Sequence, residues 1–395
     1  MNQAQLAPSA KTQDIFTTFL KLGLTSFGGP VAHLNYFRKD LVESRAWLTE
    51  HDYAAILSLC QFLPGPASSQ TGFCVGLLRG GWAGGLAAWA GFTLPSAALM
   101  FLIALIAAPF SHSWIGHGIL HGLQLAAIAI VAQAVFTMFK SFCPDTPRKI
   151  LAAVSLLILL IISGTFGQLL VLLIGAITGI TQLTPPPPTA SDTPLTISRQ
   201  HGQICLYVFV TSLVLALFIH GHGPIALFAA FYRAGALVFG GGHVVLPLLH
   251  AAIVKPGWVT QSNFLTGYGA AQAMPGPLFT FAAYLGTIST AGPGGLGGAL
   301  IALIAIFLPG LLLAAGILPF WHTLKQNAAI AAAVLGLNAA VVGLLAYALL
   351  NLIVSGTIDN IFDLAIVTLA YLALTLRQTP PLTVVAACAL AALIL

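Results

Sequence analysis

The sequence predicts an all-α integral membrane protein made of two homologous halves, and three observations lead to that fold class. The composition is too apolar for a water-soluble globule, since 58% of the 395 residues are hydrophobic and only 6% are charged. A series of motifs occurs twice along the chain, and glycine- and proline-rich stretches interrupt the apolar segments in both copies. Together these features predict two inverted-topology repeats with glycine- and proline-broken helices.

Apolar runs supply the predicted membrane helices. A spanning helix needs roughly 20 apolar residues, and residues 83–110, 118–139, 297–320 and 328–353 reach or approach that length. Shorter runs cover residues 150–163, 168–181, 205–221, 361–376 and 382–395. The amino-terminal stretch lacks a basic region followed by an apolar core and a cleavage site, so no cleaved signal peptide is predicted.

The remaining composition excludes several classes of function. The five cysteines are odd in number and scattered without any C-x-x-C spacing, which argues against a disulfide framework and a zinc site. The net charge of +5 comes from basic residues that form no run, so nucleic acid is not an expected partner. These residues are better interpreted as markers of membrane topology.

The duplication follows one near-constant offset. "LKLGLTSFGGP" at 20–30 aligns with "YRAGALVFGGG" at 232–242, where Phe27 and Phe239 are 239 − 27 = 212 residues apart. "QFLPGP" at 61–66 aligns with "QAMPGP" at 272–277 at an offset of 275 − 64 = 211. The chain therefore divides into a first transmembrane repeat (1–181), a proline-rich linker (182–202) and an extra helix followed by the second repeat (203–395).

Basic residues predict the orientation of each repeat. The interrupted segments 15–37, 53–78, 228–253 and 264–289 either dip into the bilayer and return, or cross it. If they return, only Lys255 lies outside, and the cytoplasmic side holds Lys11, Arg38, Lys39, Arg45, Arg79, Lys140, Arg148, Lys149, Arg199, Lys325 and Arg377. If they cross, Arg38, Lys39 and Arg45 move outside, which fits slightly less well. Both arrangements include the extra helix 205–221, which inverts the second repeat as in secondary transporters.

Four breaks interrupt the apolar segments, at residues 28–30, 64–66, 240–242 and 275–277. Backbone that leaves a helix inside a bilayer is tolerated only where it is buried in protein or faces a wet cavity. Proline is well accepted in the first turn of a helix, so Pro66 and Pro277 are predicted to start new half-helices. Helix N-termini carry roughly half a positive charge, and the breaks therefore predict an anion site.

Lys21 and Arg233 each precede a glycine break by about two turns or less. A cation at mid-bilayer costs roughly 2.5 to 3.5 kcal/mol on insertion scales, and the acidic residues lie outside the segments, with Asp14 and Asp363 at segment edges. The predicted partner of the two cations is therefore the substrate anion. The alternative is that both side chains snorkel to an interface.

Histidines and one serine extend the candidate site. His33 and His243 flank the glycine breaks, where they would donate to an oxyanion or relay a proton, with internal packing as the alternative. Ser68 follows the first PGP turn, where helix capping is the alternative to a substrate contact. Histidines at 112, 117 and 121 lack carboxylate or thiolate support in the sequence, so no metal site is predicted.

Four motifs in these stretches resemble the chromate ion transporter (CHR) family in its long, two-domain form. They are "FGGPVAH" at 27–33, "LPGPASSQTGFCVGLLRGGWAGG" at 63–85, "FGGGHVVLP" at 239–247 and "MPGPLFTFAAYLG" at 274–286. The resemblance covers both halves, best over residues 16–95 and 231–309. It implies a multi-pass carrier of the bacterial inner membrane that exports chromate and confers chromate resistance, with sulfate as a competing or alternative oxyanion.

The resemblance also implies a set of pathway residues. They are Phe27, Gly28, Gly29, Pro30, His33, Pro64, Gly65, Pro66, Phe239, Gly240, Gly241, Gly242, Pro275, Gly276 and Pro277. Gly242 replaces Pro30 and Val245 replaces His33 in the second half, which predicts an asymmetric site. The expected partners are chromate, sulfate and the lipid bilayer, a homodimer is kept open, and no cofactor is expected.

Charge and composition also bear on functions other than export. A dianion leaving a negative-inside cell gains roughly 2.3 kcal/mol per charge per 100 mV, or about 4.6 kcal/mol in total, which favours efflux over the alternative of sulfate uptake or exchange. A membrane enzyme acting on a phosphorylated lipid would need carboxylates for a metal or a nucleophile with its base, and the sequence offers neither. The motifs are also compatible with a passive channel as an alternative function.

Overall fold

The computed structural model describes residues 10–110, 113–185, 198–354 and 356–394. Most of the predicted linker, His112 and the last residue of the run 382–395 lie outside these ranges. The described chain is helical throughout, without strands. The predicted all-α fold is therefore confirmed.

The first repeat contains seven helices. They are α1 (Thr12–Thr25), α2 (Gly29–Phe37), α3 (Glu50–Phe62), α4 (Ala67–Phe110), α5 (Trp114–Phe142), α6 (Thr146–Ile161) and α7 (Thr165–Gln182). Helix α4 consists of two arms, because the backbone leaves helical geometry at Gly80 and Gly81. A π-helical turn, Arg38–Ser44, follows α2.

The second repeat follows the extra helix α8 (Arg199–Phe218). It contains α9 (Pro224–Ala236), α10 (Val245–Leu249), α11 (Gln261–Gln272), α12 (Phe281–Ile288), α13 (Gly295–Ile317), α14 (Trp321–Lys325), α15 (Ala328–Val354), α16 (Ile361–Leu376) and α17 (Pro381–Ile394). Short 3-10 turns precede α10, α12 and α14, and a π-helical turn, His250–Val254, follows α10.

The duplication is visible in local structure as well as in sequence. Each repeat places a π-helical turn after its first broken segment, Arg38–Ser44 in one and His250–Val254 in the other. Equivalent threonines then cap equivalent helices: Thr49 accepts a hydrogen bond from the backbone of Asp52, and Thr260 accepts one from that of Asn263. The predicted pair of homologous halves is therefore confirmed.

The broken segments of the first repeat form two hairpins that open at one end of the bundle. The backbone of Ala10 donates to Arg79 at 3.1 Å, and the Arg79 guanidinium lies 5.7 Å from the ring of Trp47. Within the first hairpin, the rings of Phe19 and Phe37 are 5.5 Å apart. The start of the first segment, the loop between the segments and the end of the second therefore lie close together.

The second repeat is built in the same way at its own end. The backbone of Gly223 donates to Ala291 at 2.5 Å, and that of Thr290 donates to Trp258 at 3.0 Å. The ring of His222 lies 6.0 Å from that of Trp258. The starts and returns of both broken segments are therefore held together by backbone hydrogen bonds and ring contacts.

The two repeats exchange their last helices. Helix α7 of the first repeat packs on α15 of the second, where Gly175 and Gly179 lie against the backbone of Gly336 and Ala332. Helix α17 of the second repeat packs on α5 of the first, where Gly122 lies against Ala389. Small residues let these helices approach closely, as is common between helices in membranes.

Six described helices are long and apolar enough to cross a membrane. They are Ala67–Ala107, Trp114–Phe142, Thr165–Gln182, Arg199–Phe218, Gly295–Lys325 and Ala328–Val354. Four shorter apolar helices, including α16 and α17, accompany them. The protein is therefore a multi-pass membrane protein.

Candidate functional site

The glycine breaks of the two repeats meet each other. Pro30 and Gly242 occupy equivalent positions in the aligned motifs, and a Cβ atom placed on Gly242 would lie 3.7 Å from Cγ of Pro30. Gly28, Gly29, Gly240 and Gly241 all have positive φ angles, from 77° to 131°, which glycine adopts readily. The breaks therefore bring two helix starts, one from each repeat, to a single point.

A cavity of about 680 Å³ lies over this meeting point. Both glycine breaks line it, together with the second half of α5, the end of α11 and the connection from α16 to α17. Its described lining residues are Gly28, Gly29, Pro30, Ile130, Gln133, Ala134, Phe136, Thr137, Met138, Lys140, Ser141, Gly240, Gly241, Gly242, His243, Gln272, Leu374, Thr375, Gln378, Thr379 and Pro381. Among the predicted site residues, seven belong to this set.

The electrostatics of the cavity favour an anion. The first amides of a helix have no intrahelical partner and carry partial positive charge. Helix α2 begins at this wall at Gly29, and the 3-10 turn that leads into α10 begins there at Gly242. Lys140 adds a full positive charge, with its Nζ 4.4 Å from the Phe136 ring centre. None of the described lining residues carries a carboxylate.

Gln272 offers a hydrogen-bond donor at the cavity wall. Its amide nitrogen is buried, with the Tyr268 side chain beside it, and a buried donor that lacks a good hydrogen bond is costly. By contrast, the amide of Gln133, in the same wall, donates to Thr137 at 3.1 Å. Gln272 is thus the less firmly bonded of the two amides in this wall.

His243 belongs to the cavity but is also held by the protein. Its Nδ1 lies 2.8 Å from the hydroxyl of Tyr268, which fixes the ring. The second ring nitrogen is left for another partner, and its protonation depends on the tautomer. His243 is therefore an oriented group rather than a loosely packed one.

The PGP turns lie outside the cavity and brace the glycine breaks. The amide of Gly65 donates to the carbonyl of Val238 at 2.8 Å, and the amide of Gly276 donates to the carbonyl of Ser26 at 2.9 Å. The side chain of Gln70 donates to the carbonyls of Pro64 and Gly310. Each turn thus supports the break of the opposite repeat.

The remaining histidine and serine of the prediction lie together, away from the cavity. Nδ1 of His33 is 3.5 Å from Oγ of Ser68, and both residues are buried. The His33 ring also meets the ring of Phe92 edge-on at 5.4 Å. This pair links α2 to α4 just behind the first glycine break. Phe27 and Phe239 flank the breaks without lining the cavity.

The structure gives Lys21 and Arg233 partners within the protein. Lys21 is 66% exposed and lies 3.7 Å from Asp40, which itself pairs with Arg45. Arg233 donates to the carbonyls of Ala216 and Ile219 at the end of α8. Lys21 thus has a carboxylate partner and Arg233 has two carbonyl partners, and neither lines the cavity between the glycine breaks.

Sequence reasoning missed two cavity residues for different reasons. The sequence indicates only a topology role for Lys140, because nothing in a single sequence connects the end of α5 with glycines about 100 residues away on either side. Gln272 could have been selected from the sequence, because a glutamine begins both PGP motifs, Gln61 in the first and Gln272 in the second. The same repetition also aligns the two halves.

Comparison with known proteins agrees with this two-part construction. The sequence model described as "Chromate transporter" matches residues 13–180 and again residues 225–393. The chain belongs to the chromate transporter family. In this family member, each matched segment contributes one glycine break to the cavity, while α8 lies between the two segments.

Individual members of the chromate transporter family match across most of the chain. The chromate transport protein of Pseudomonas aeruginosa is 28% identical over 341 residues, which cover 86% of this chain and 80% of that protein. The probable chromate transport protein of Synechococcus elongatus is 30% identical over 356 residues, or 87% and 85%. The chromate transport protein of Cupriavidus metallidurans is 27% identical over 383 residues, or 96% and 92%.

These relatives are named as transport proteins, and the chromate transporter described here is a transporter rather than an enzyme. No solved structure matches the chain.

Proposed function

We propose that the protein is a secondary transporter that exports chromate across the bacterial inner membrane and thereby confers chromate resistance. The observation that carries the proposal is the meeting of two positive-φ glycine breaks, one from each repeat, in a single cavity whose described walls carry no carboxylate. The names of the family and of its members support chromate as the transported oxyanion.

The proposed binding groups match the chemistry of a tetrahedral dianion. Its four oxygens accept hydrogen bonds, and the cavity offers backbone amides at two helix N-termini, which are favourable anion sites. We assign binding to the two glycine breaks, with His243 and Gln272 as side-chain donors and Lys140 as the attracting charge. Lys21, Arg233, His33, Ser68 and the PGP turns support this site from outside.

We further infer that the repeats have opposite orientations in the membrane. Helix α8 supports this: His201 at its start lies 6.3 Å from Trp82, beside the open end of the first repeat, and Arg233 binds its far end beside the second. A helix of 20 residues is about 30 Å long, enough to carry the chain from one surface to the other. The repeats and linker keep the predicted boundaries, 1–181, 182–202 and 203–395.

The inferred orientation places the cavity mouth in the cytoplasm. Lys140 lies at the end of α5, next to the cluster of basic residues assigned to the cytoplasmic side, while Lys255 lies in the second repeat's outer loop. A dianion that leaves from this side gains about 4.6 kcal/mol at 100 mV, negative inside. Membrane potential alone therefore suffices to drive export.

The test is chromate flux in everted membrane vesicles containing the full chain. Energised vesicles should accumulate radioactive chromate, an ionophore should release it, and excess sulfate should compete. Vesicles from cells without the protein provide the baseline. Accumulation of sulfate but not chromate would identify the alternative substrate of the same class, and no flux of either oxyanion would refute the proposal.

A further inference from the structure

A second cavity, which we call the outer cavity, lies at the opposite end of the same four helices. It has a volume of about 720 Å³ and is lined by the start of α5, the start of α11, the start of α16 and the end of α17. The first cavity is lined by the other ends of those helices. The two cavities therefore lie at opposite ends of one set of helices.

A short septum separates the cavities. Along α5, Gln124 lines the outer cavity and Ile130 lines the first cavity, a rise of about 9 Å. All residues from Leu125 to Val131 are buried at 2% exposure or less. Along α5, less than two turns of packed helix therefore separate the two cavities.

A histidine–carboxylate pair joins two helices in the wall of the outer cavity. Nε2 of His121 on α5 lies 2.9 Å from Oδ1 of Asp363 on α16, and the Asp363 side chain is only 6% exposed. The other carboxylate oxygen accepts from the backbone of Asp359 at 3.0 Å. Sequence analysis placed Asp363 at a segment edge, whereas the fold buries it beside the outer cavity.

Few other titratable groups face this pair. On α5, the ring of His117 stacks on that of His121 at 6.4 Å, and the exposed Asp359 precedes α16. Helix α11 presents Gln261, which bonds His250 behind it, and α17 presents no charged side chain, with the Cys388 thiol buried. None of the described lining residues is Lys or Arg.

We propose that the outer cavity is the exit end of the anion route and that His121 and Asp363 form a proton-binding site that controls it. With a neutral imidazole, the pair carries one negative charge, which repels a departing dianion in a low-dielectric wall. Uptake of one proton makes the pair neutral. Export should therefore accelerate when the outer compartment is acidified. This inference rests on the proposed function.

The two variants should have opposite effects on chromate flux, and this difference distinguishes control by protonation from a purely packing role. Asp363→Asn keeps a hydrogen-bonding side chain beside His121 but removes the charge, so its flux should be high and independent of outer pH. His121→Gln leaves the carboxylate without a cationic partner, so its flux should be low. His51→Gln serves as a control, because His51 faces Asp52 in a separate pair distant from both cavities.

The experiment uses chromate-loaded vesicles or everted vesicles with a trapped buffer, and potassium with valinomycin clamps the potential. The compartment that the outer cavity faces is varied from about pH 8 to about pH 5, the range in which histidines change charge. Wild-type and His51→Gln flux should rise severalfold on acidification, whereas Asp363→Asn flux should not change.

The outcomes distinguish the two proposals. Chromate flux that is the same at every outer pH in the wild type would overturn the proton site and leave chromate export intact. Equal loss of flux in Asp363→Asn and His121→Gln, with both proteins folded, would also overturn it in favour of a purely structural pair. Absence of wild-type chromate flux at any pH would refute both export and its control.

Discussion

Gly65 donates its backbone N–H to the carbonyl of Val238, 2.8 Å away, and so ties the PGP turn of one repeat to the glycine break of the other. The equivalent pair, Gly276 and Ser26, forms the same bond at 2.9 Å. Inside a membrane, backbone groups at a helix break need partners in the protein. These two reciprocal bonds allow four broken helices to meet without leaving those groups unpaired.

Gly276→Ala should destabilise the protein without changing its affinity for chromate. A Cβ at this position would lie 2.7 Å from Oγ of Ser96, and φ is +86°. Overpacking of this kind costs about 1 to 3 kcal/mol. Thermal unfolding in detergent should show a lower Tm, and Ser96→Gly in the same chain should restore part of the loss.

Gly29→Val and Gly241→Val should each reduce chromate flux to the level of vesicles without the protein. Both positions have positive φ and open space where a side chain would project, so a valine would occupy the cavity wall. Gly257→Val is the matched control, since Gly257 has φ +79° and open space but lies outside the cavity. If Gly257→Val lost as much flux, backbone strain rather than the cavity would explain the effect.

The sequence was sufficient to predict the helices, the duplication and the breaks, because these depend on local composition and spacing. Residues 83–110, predicted from apolar length, are the second arm of α4, and Pro66 directly precedes α4 as expected. Proline and glycine break or begin helices through their own backbone geometry, which depends only on local sequence. The duplication also pairs the two glycine breaks, which lie together in the structure.

Gln272→Leu should raise the KM for chromate roughly ten- to a hundredfold, since a hydrogen bond to a charged group contributes about 1.5 to 3 kcal/mol. Gln133→Leu, in the same wall, should have a smaller effect because its amide already donates to Thr137. Initial rates of chromate uptake into everted vesicles measure both. Equal KM values for the two variants would show that Gln272 does not contribute to chromate binding.

Lys140→Gln should raise the KM at low salt and have little effect at high salt. Lys140 is exposed at the cavity, and such a charge mainly speeds the encounter with an anion. The Debye length falls from about 10 Å at 0.1 M to about 3 Å at 1 M salt. Lys149→Gln, outside the cavity, is the control. A KM unchanged at both salt concentrations would contradict the assignment.

Lys21→Gln should leave flux close to that of the wild type, because exposed ion pairs contribute about 0 to 1 kcal/mol. Arg233→Gln should lower the Tm, since the carbonyls of Ala216 and Ile219 lose a charged donor. The KM for chromate should not change in either variant. A higher KM in both variants would show that Lys21 and Arg233 contribute to chromate binding.

The sequence could not show which distant residues meet. The pairing of His121 with Asp363 spans 242 positions, and that of Gln124 with Thr266 spans 142. No periodicity or motif connects such residues, because their proximity is set by the packing of α5 against α11 and α16. Lys21 and Arg233 are a further example, since Asp40 and the carbonyls at the end of α8 are partners that only the fold brings within reach.

The exchange of terminal helices has a consequence for synthesis of the chain. Helix α7 emerges from the ribosome well before α15, so its glycine face at Gly175 and Gly179 has nothing to pack on until the second half is made. Until then, the first half is an incomplete folding unit held in the bilayer. A chain carrying one repeat alone would have to take the missing surface from a second copy, as in a domain-swapped dimer.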